Sequence, residues 1–196
     1  MTFIGDFCLR QNLFKWPAVN QEPVMNLKLR LAQRQDISQL VAVERSAAQL
    51  FRQQAELQHL AEGEVMSPQQ HADFIDRQRE WVMVNPTEQI VGFIAVLPFP
   101  YSWHIAELSV ATHWQRQGVG KRLIEEVAEQ ARRQGVQRLT LTTFEHVAWN
   151  APYYQRLGFR RVATAQLDTQ LQHLLAQEAG QSFAASSRCA MEFTLS

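Results

Sequence analysis

The 196-residue sequence predicts an α/β fold built on a mixed sheet. Three observations carry that expectation. LKLRLA, from Leu27, alternates apolar and polar residues as a strand does, and helical periodicity follows it. Two β-rich runs, EWVMVN and QIVGFIAVLP, are joined by turn residues, and a third, HIAELSV, comes soon after. The order then becomes strand, helix, strand across WQRQGVGKRLIEE, which points to helices packed on a sheet.

Residues 1–26 carry no period and are broken by Gly5, Pro17 and Pro23. They read as an N-terminal extension to one domain over 27–196, or as the product of a start upstream of Met25. Asp36 is placed to cap a helix whose apolar face holds Ile37, Leu40, Val41, Val43, Ala47 and Leu50. Residues 52–80 are polar, and Ser67-Pro68 marks a second helix start, an N-cap followed by proline at the first helical position. Asn85 and Pro86 make the turn between the first two β-rich runs, and Pro98 and Pro100 break the chain before the third. After Gly120 a helix presents Val119, Leu123, Ile124, Val127 and Ala131 on one face and ends at Gly135. Its polar face pairs Lys121 with Glu125 and Arg122 with Glu126 at i, i+4 spacing. VQRLTLTTF reads as a strand rich in β-branched residues, NAPYYQRLG as a short helix closing at Gly158, Leu171 to Ala179 as a helix, and RCAMEFTL as the last strand.

Composition narrows the function classes. Hydrophobic residues at 46% and charged residues at 19% suit a globule with a sizeable core. A net charge of zero lacks the basic excess that nucleic acid or an anionic membrane surface selects, so neither is expected as a partner. No apolar run is long enough to span a bilayer, and the first residues lack the basic-then-apolar order of a signal peptide. A cytoplasmic location is therefore expected. Cys8 and Cys189 cannot hold a metal by themselves, and the histidines show neither HxH nor HExxH spacing, so no metal is expected.

Gly118 and Gly120 stand where a helix begins, a position at which glycine costs stability. Amides at a helix start lack internal partners and carry partial positive charge, so they bind anions, and glycine lets a phosphate approach them. Arg116, Lys121 and Arg122 add positive charge. The plain alternative is a tight strand-to-helix connection. Neither GxxxxGK[ST] nor GxGxxG is present, which argues against a P-loop or a dinucleotide fold.

Gln115-Arg116-Gln117-Gly118-Val119-Gly120 matches the acetyl-CoA motif Q/R-x-x-G-x-G/A, and the sequence here resembles the GNAT superfamily of N-acetyltransferases. LRLAQRQD resembles the family's opening strand and turn, GFIAV its third strand, SVATHW the lead into the motif, and YYQRLGF its penultimate helix. The resemblance covers about Leu27 to Val162. It implies a mostly antiparallel central sheet splayed at the middle strands and flanked by helices. It also implies direct transfer of the acetyl group of acetyl-CoA, a co-substrate, to a primary amine of a small molecule or peptide. Amides of Gln117 to Lys121 would hold the coenzyme pyrophosphate, and Leu108, Ser109 and Val110 would run beside the pantetheine arm. A main-chain amide at the bulged end of that strand would polarise the thioester carbonyl.

Such a reaction needs a neutral amine. A lysine-like amine is neutral in only about one part in two thousand at pH 7, a barrier of roughly 4.6 kcal/mol, so a base or a water relay to one is expected. Tyr154 lies four residues before Gly158, where the family's Y-x-x-x-G-F commonly carries the general acid; Tyr153 points about 100° away on the same helix. Glu107 and His104 both stand as base candidates. Simple alternation puts them on opposite faces, a count that a bulge would defeat. For each, the plain alternative is a solvated strand residue. Glu145 and His146 read as loop surface. Two departures from the family pattern stand out. Thr142 occupies a strand position where enzymes acting on protein N-termini often have glutamate. Asn150 lies four residues before Tyr154 rather than about seven, so it reads as an N-cap or as a contact to the pantetheine amide.

The acceptor pocket has no motif. AELQHLAEGEVMSP carries Glu56, Glu62 and Glu64, which would attract a cationic amine or form a solvated face, and Phe99, Tyr101 and Trp103 would line a pocket or cover the sheet. Two other classes fit part of the pattern: a non-catalytic acyl-CoA-binding or sensor domain, and a nucleotide-binding protein. A monomer and a homodimer are both compatible with the last strand.

Overall fold

The computed structural model describes residues 26–179 and 188–195. The expected extension, apart from Asn26, lies outside the described residues, as does Cys8. Seven strands form one sheet: β1 (Lys28–Leu31), β2 (Glu80–Val84), β3 (Ile90–Pro98), β4 (Ser102–Val110), β5 (Arg138–Phe144), β6 (Arg160–Arg161) and β7 (Arg188–Thr194). The helices are α1 (Ile37–Ala48), α2 (Pro68–Asp76), α3 (Val119–Arg133), α4 (Ala151–Arg156) and α5 (Thr169–Ala179), with 3-10 turns over Gln49–Gln53 and Ala55–Glu62. No described helix is long and apolar enough to cross a membrane.

The strand order is β1-β2-β3-β4-β5-β7-β6. Every neighbouring pair is antiparallel except β4 and β5, which run parallel. That parallel ladder holds only Ser102↔Arg138, Trp103↔Leu139 and His104↔Thr140. Beyond it β4 stays with β3 as far as Val110 while β5 stays with β7 as far as Phe144, so the sheet splays open in the middle. The β6 strand, at two residues, is too short to leave a periodic signal in sequence.

Each face of the sheet has its own core. On one, the expected stripe of α3 (Val119, Leu123, Ile124, Val127 and Ala131) is buried against Met83, Ile94, Val96, Leu139 and Leu141. Each large apolar side chain so buried contributes about 1.5–3 kcal/mol. On the other, Leu40 and Val43 of α1 pack on Val82, Val84 and Phe93. The α3 helix ends as Gly135 implied: Val136 N–H donates to Ala131 O (3.0 Å) and Gly135 N–H to Arg132 O (2.9 Å), a Schellman closure. At the start of α2, Gln70 N–H donates to Ser67 Oγ (3.3 Å) and Ser67 N–H to Gln70 Oε1 (2.8 Å), with Pro68 in the first turn.

Two local expectations need correcting. Asp36 does not cap α1 with its side chain. Its buried carboxylate sits at the end of a preceding 3-10 turn, where it accepts from Gln33 N–H (2.8 Å) and from Arg30 (2.6 and 3.1 Å). On α3, Lys121 approaches Glu125 (3.7 Å), but Arg122 reaches Leu27 O (3.4 Å) and Glu126 accepts from Gln130 (2.8 Å). A main-chain carbonyl from outside the helix takes Arg122 and a neighbour on the same helix takes Glu126, since the i, i+4 ion pair would stabilise by only about 0.2–0.5 kcal/mol.

A bulge settles how β4 faces the core. Ala95 pairs with Glu107 and Val96 with Ile105, so Ala106 has no partner on β3. Cross-strand partners share a face, and neighbours along a strand do not. Glu107 therefore lies on the face of Ala95, and His104, next to Ile105, lies on that face too. Alternation alone gives the opposite answer.

Candidate active site

The splay between β4 and β5 opens a cleft of about 2000 Å³. From Ile105 onward β4 has a ladder with β3 on one side only, so the main-chain groups of its other edge face the cleft. Leu108, Ser109 and Val110 line this wall.

At one end stands the start of α3. Gly118 is its N-cap, with φ +83°, and Arg116 also has a positive φ of +61°. The helix's first main-chain bond runs from Arg122 N–H to Gly118 O (3.0 Å). The N–H groups of Gly118, Val119, Gly120 and Lys121 thus have no partner within the helix. Among the described residues a Cβ on Gly118 would meet nothing within 4 Å, so left-handed backbone, and not crowding, selects glycine there. The side chains of Gln115 and Gln117 brace the turn by donating to Val110 O (3.0 Å) and His113 O (2.7 Å). Bare amides, an open approach and the cations of Arg116, Lys121 and Arg122 make a cradle that fits a pyrophosphate. Gly120 has a different reason. A Cβ there would lie 3.0 Å from the Tyr153 hydroxyl, which occupies the space.

Asn150 also lines the cleft. Its carbonyl accepts from Tyr153 N–H (2.8 Å) and Tyr154 N–H (3.1 Å), while its side chain makes no cap bond, which corrects the side-chain N-cap expectation.

Glu107 and Tyr154 face the same cleft from β4 and α4. Glu107 is half-buried and accepts from Ser109 Oγ (2.7 Å). Burial raises its pKa, and the Ser109 bond opposes that rise. Tyr154, packed on Phe159 (5.6 Å between ring centroids), has its phenol raised well above the ordinary range. Burial is the main cause, with Tyr153 and the Glu107 charge adding to it. Tyr153 is pushed up to about 12, again chiefly by burial. Both phenols therefore hold their protons near neutral pH.

His104 is placed otherwise. It is 3% exposed, with Nδ1 3.1 Å from Thr140 Oγ1, and it does not line the cleft. Burial, aided by the Arg188 cation, lowers its pKa to about 4. Glu145 pairs with Arg161, and His146 is exposed. Of the acidic residues expected near an acceptor, Glu64 lines the cleft, whereas Glu62 pairs with Arg52 outside it and Glu56 is also outside. Phe99, Tyr101 and Trp103 do not line it. Trp103 is buried beside Trp81 under the Arg79 guanidinium (4.3 Å), and Tyr101 is 69% exposed. The aromatic wall is instead Phe51 against Phe144 (5.8 Å) and Trp149 (6.1 Å).

The lining also holds the charged residues Glu44, Glu178 and Arg188, for which the sequence reading gives no role. Thr142, the strand position without glutamate, donates to Glu178 Oε1 (2.6 Å), and Arg188 holds Glu178 at 2.7 and 2.9 Å. A carboxylate from α5 thus stands beside that threonine. Glu44 did leave a signal, since it interrupts the apolar row Leu40, Glu44, Ala48 at i, i+4 spacing. Glu178 and Arg188 left none, because only the packing of α5 on β7 brings them together.

Solved structures of several acetyltransferases share this architecture. The PaiA N-acetyltransferase of Thermoplasma acidophilum, solved with coenzyme A, superposes with a TM-score of 0.65 at 16% identity, over 87% of this chain and 99% of that one. The ribosomal-protein-S18-alanine N-acetyltransferase of Escherichia coli gives 0.61 at 15% identity, over 87% and 94%. N-acetylglutamate synthase of Neisseria gonorrhoeae, solved with coenzyme A and N-acetylglutamate, gives 0.63 at 18% identity over 87% of this chain and 35% of its own length. At these identities the likeness is one of fold. In sequence, residues 44–159 match the acetyltransferase (GNAT) family, a span running from α1 through the glycine cradle to the end of α4. With more than half of the chain matched, and with the splayed sheet and glycine cradle in place, this protein belongs to the GNAT family of acetyltransferases.

Proposed function

We propose that the protein transfers the acetyl group of acetyl-CoA directly to a primary amine of a small molecule or peptide. The observation that carries this reading is that Glu107 and Tyr154 face one cleft beside the unpaired edge of β4 and the bare amides of α3. The amides from Gln117 to Lys121 hold the pyrophosphate, and the β4 edge at Leu108, Ser109 and Val110 holds the pantetheine arm by strand-like bonds. Acetyl-CoA, when bound, supplies the activated acetyl thioester. Glu107 accepts the proton that makes the amine nucleophilic, and burial gives its carboxylate the raised basicity the step needs. Tyr154 keeps its proton at neutral pH and donates it to the departing sulfur. Placement outside the cleft and a lowered pKa argue for Glu107 over His104 as the base. Glu44, Glu64 and Glu107 bring three carboxyl groups to the cleft, partners that favour an amine arriving as a cation.

Release of coenzyme A with a panel of amines, read by mass spectrometry, tests the reading. Tyr154→Phe is expected to lower kcat about 10²-fold or more while leaving acetyl-CoA affinity intact. Tight acetyl-CoA binding with no amine acetylated, and no effect of Tyr154→Phe, would instead identify an acyl-CoA-binding sensor.

A further inference from the structure

Behind the cleft wall, three elements bring buried polar groups to one face of the sheet. Glu80 of β2 pairs with Ala95 of β3, and Ala95 pairs with Glu107 of β4, so the two glutamates lie in one row across the sheet. The α2 helix places His71 against this row. His71 and Glu80 are both 0% exposed, and Nδ1 of His71 is 2.8 Å from Glu80 Oε1. The other ring nitrogen, Nε2, points to Glu44 Oε2 at 3.9 Å. Among the described residues neither His71 Nε2 nor Glu80 Oε2 has a hydrogen-bond partner. Met66 N–H donates to both oxygens of Glu44 (3.2 and 3.1 Å), and the Phe93 ring packs on the imidazole (5.3 Å). Glu44 itself lines the cleft.

Packing alone does not require a histidine held between a sealed carboxylate and one that opens on the cleft. We propose that Glu44, His71 and Glu80 form a proton relay, which takes up the proton released by the acceptor amine and stores it behind the sheet. The proposal rests on the acetyltransferase reading above. In it the proton that Glu107 takes from the amine passes on to the Glu44 carboxylate, which faces Glu107 in the cleft. A shift of about 1 Å brings Glu44 within hydrogen-bond distance of Nε2. The proton passes to Nε2, the imidazolium is held by the Nδ1–H bond to the Glu80 carboxylate, and the return path delivers it through Glu44 to solvent. Only a proton moves; no electrons are exchanged. Glu44 is the group at the wall, and His71 and Glu80 are positioning residues acting through it. The charges facing the relay are Glu107 from β4 and Asp36 from the turn before α1. Burial, with the Glu107 charge, raises Glu44 to about 7, where it exchanges protons readily near neutral pH.

The test uses the full chain. In protein with 15N-labelled histidine and 13C-labelled glutamate, protonation of the Glu44 carboxyl is expected to change the His71 Nε2 signal, and Glu44→Gln to abolish that change. With an acetylated amine in hand, Glu80→Gln is expected to lower kcat about tenfold or more and to move the acidic limb of the pH–rate profile, with KM for acetyl-CoA unchanged. A His71 ring that keeps one tautomer across the pH range and ignores Glu44→Gln overturns the relay. So does an unmoved pH profile in Glu80→Gln. Acetyl-CoA binding to the wild-type protein, measured by calorimetry, judges the acetyltransferase reading separately: if none binds, that reading fails, while the titration still decides whether Glu44 and His71 exchange a proton.

Discussion

Replacing Gly120 by alanine should change sign with the residue at position 153. Gly120 is the second residue of α3, where alanine in place of glycine stabilises a helix by about 0.5–1 kcal/mol. Against this, the new Cβ would lie 3.0 Å from the Tyr153 hydroxyl, several tenths of an ångström inside ordinary contact. Tyr153 is half-buried and packs edge-to-face on Tyr154 (5.4 Å), so its hydroxyl yields only if the ring shifts. Overpacking of this kind costs about 1–3 kcal/mol, which outweighs the helix gain. In a Tyr153→Phe background the nearest atoms become Val110 Cγ2 at 3.7 Å and Leu108 Cδ2 at 3.8 Å, both ordinary contacts. Gly120→Ala is therefore expected to destabilise the wild type by about 1–2 kcal/mol and to stabilise Tyr153→Phe by about 0.5–1 kcal/mol. Urea unfolding of the four proteins at pH 7 without acetyl-CoA measures the cycle. A coupling below about 0.3 kcal/mol would refute the steric argument and return Gly120 to a role in exposing the helix start.

Two further outcomes follow from buried charge. His104 is 3% exposed and its pKa falls from 6.5 to about 4, so folding holds it neutral. Its contribution is fully present above pH 6.5 and is lost as pH falls toward 4; at about 1.4 kcal/mol per tenfold change in proton affinity it amounts to about 3 kcal/mol. His104→Asn should flatten the decline in unfolding free energy between pH 7 and 4 by about that amount, and a parallel decline in both proteins would contradict it. Asp36→Ala removes the bonds to Gln33 N–H and Arg30, and should cost about 2–3 kcal/mol in urea unfolding, between the values for exposed and buried pairs; a loss under about 0.5 kcal/mol would count against that role.

The elements legible in sequence are those whose signal is local. The α3 stripe, the Ser67-Pro68 cap and the Gln115–Gly120 motif each depend on residues within a few positions of one another, and each is present. The glycine turn of the candidate site was legible for the same reason, and the relation between His104 and Glu107 was not. Alternation along β4 separates His104 from Glu107, and a bulge at Ala106 returns them to one face. Even then only Glu107 reaches the cleft, because β5 still covers β4 at His104 and has parted from it by Glu107. Of the two places open to Phe99, Tyr101 and Trp103, the pocket is excluded because they lie at the closed end of the splay, whereas Phe51, Phe144 and Trp149 meet at its open end.

Apolar periodicity thus specified the α/β class and the glycine motif the family resemblance, which in turn implied the splay, because a helix start and a buried stripe are properties of contiguous chain. The partners of each buried charge came from packing. Glu44, His71 and Glu80 belong to three elements, as do Thr142, Glu178 and Arg188. Gly118 illustrates the first kind, since its left-handed backbone answers to the turn it sits in. Gly120 illustrates the second: its missing side chain answers to a tyrosine hydroxyl thirty-three residues further on, at a distance that no periodicity encodes.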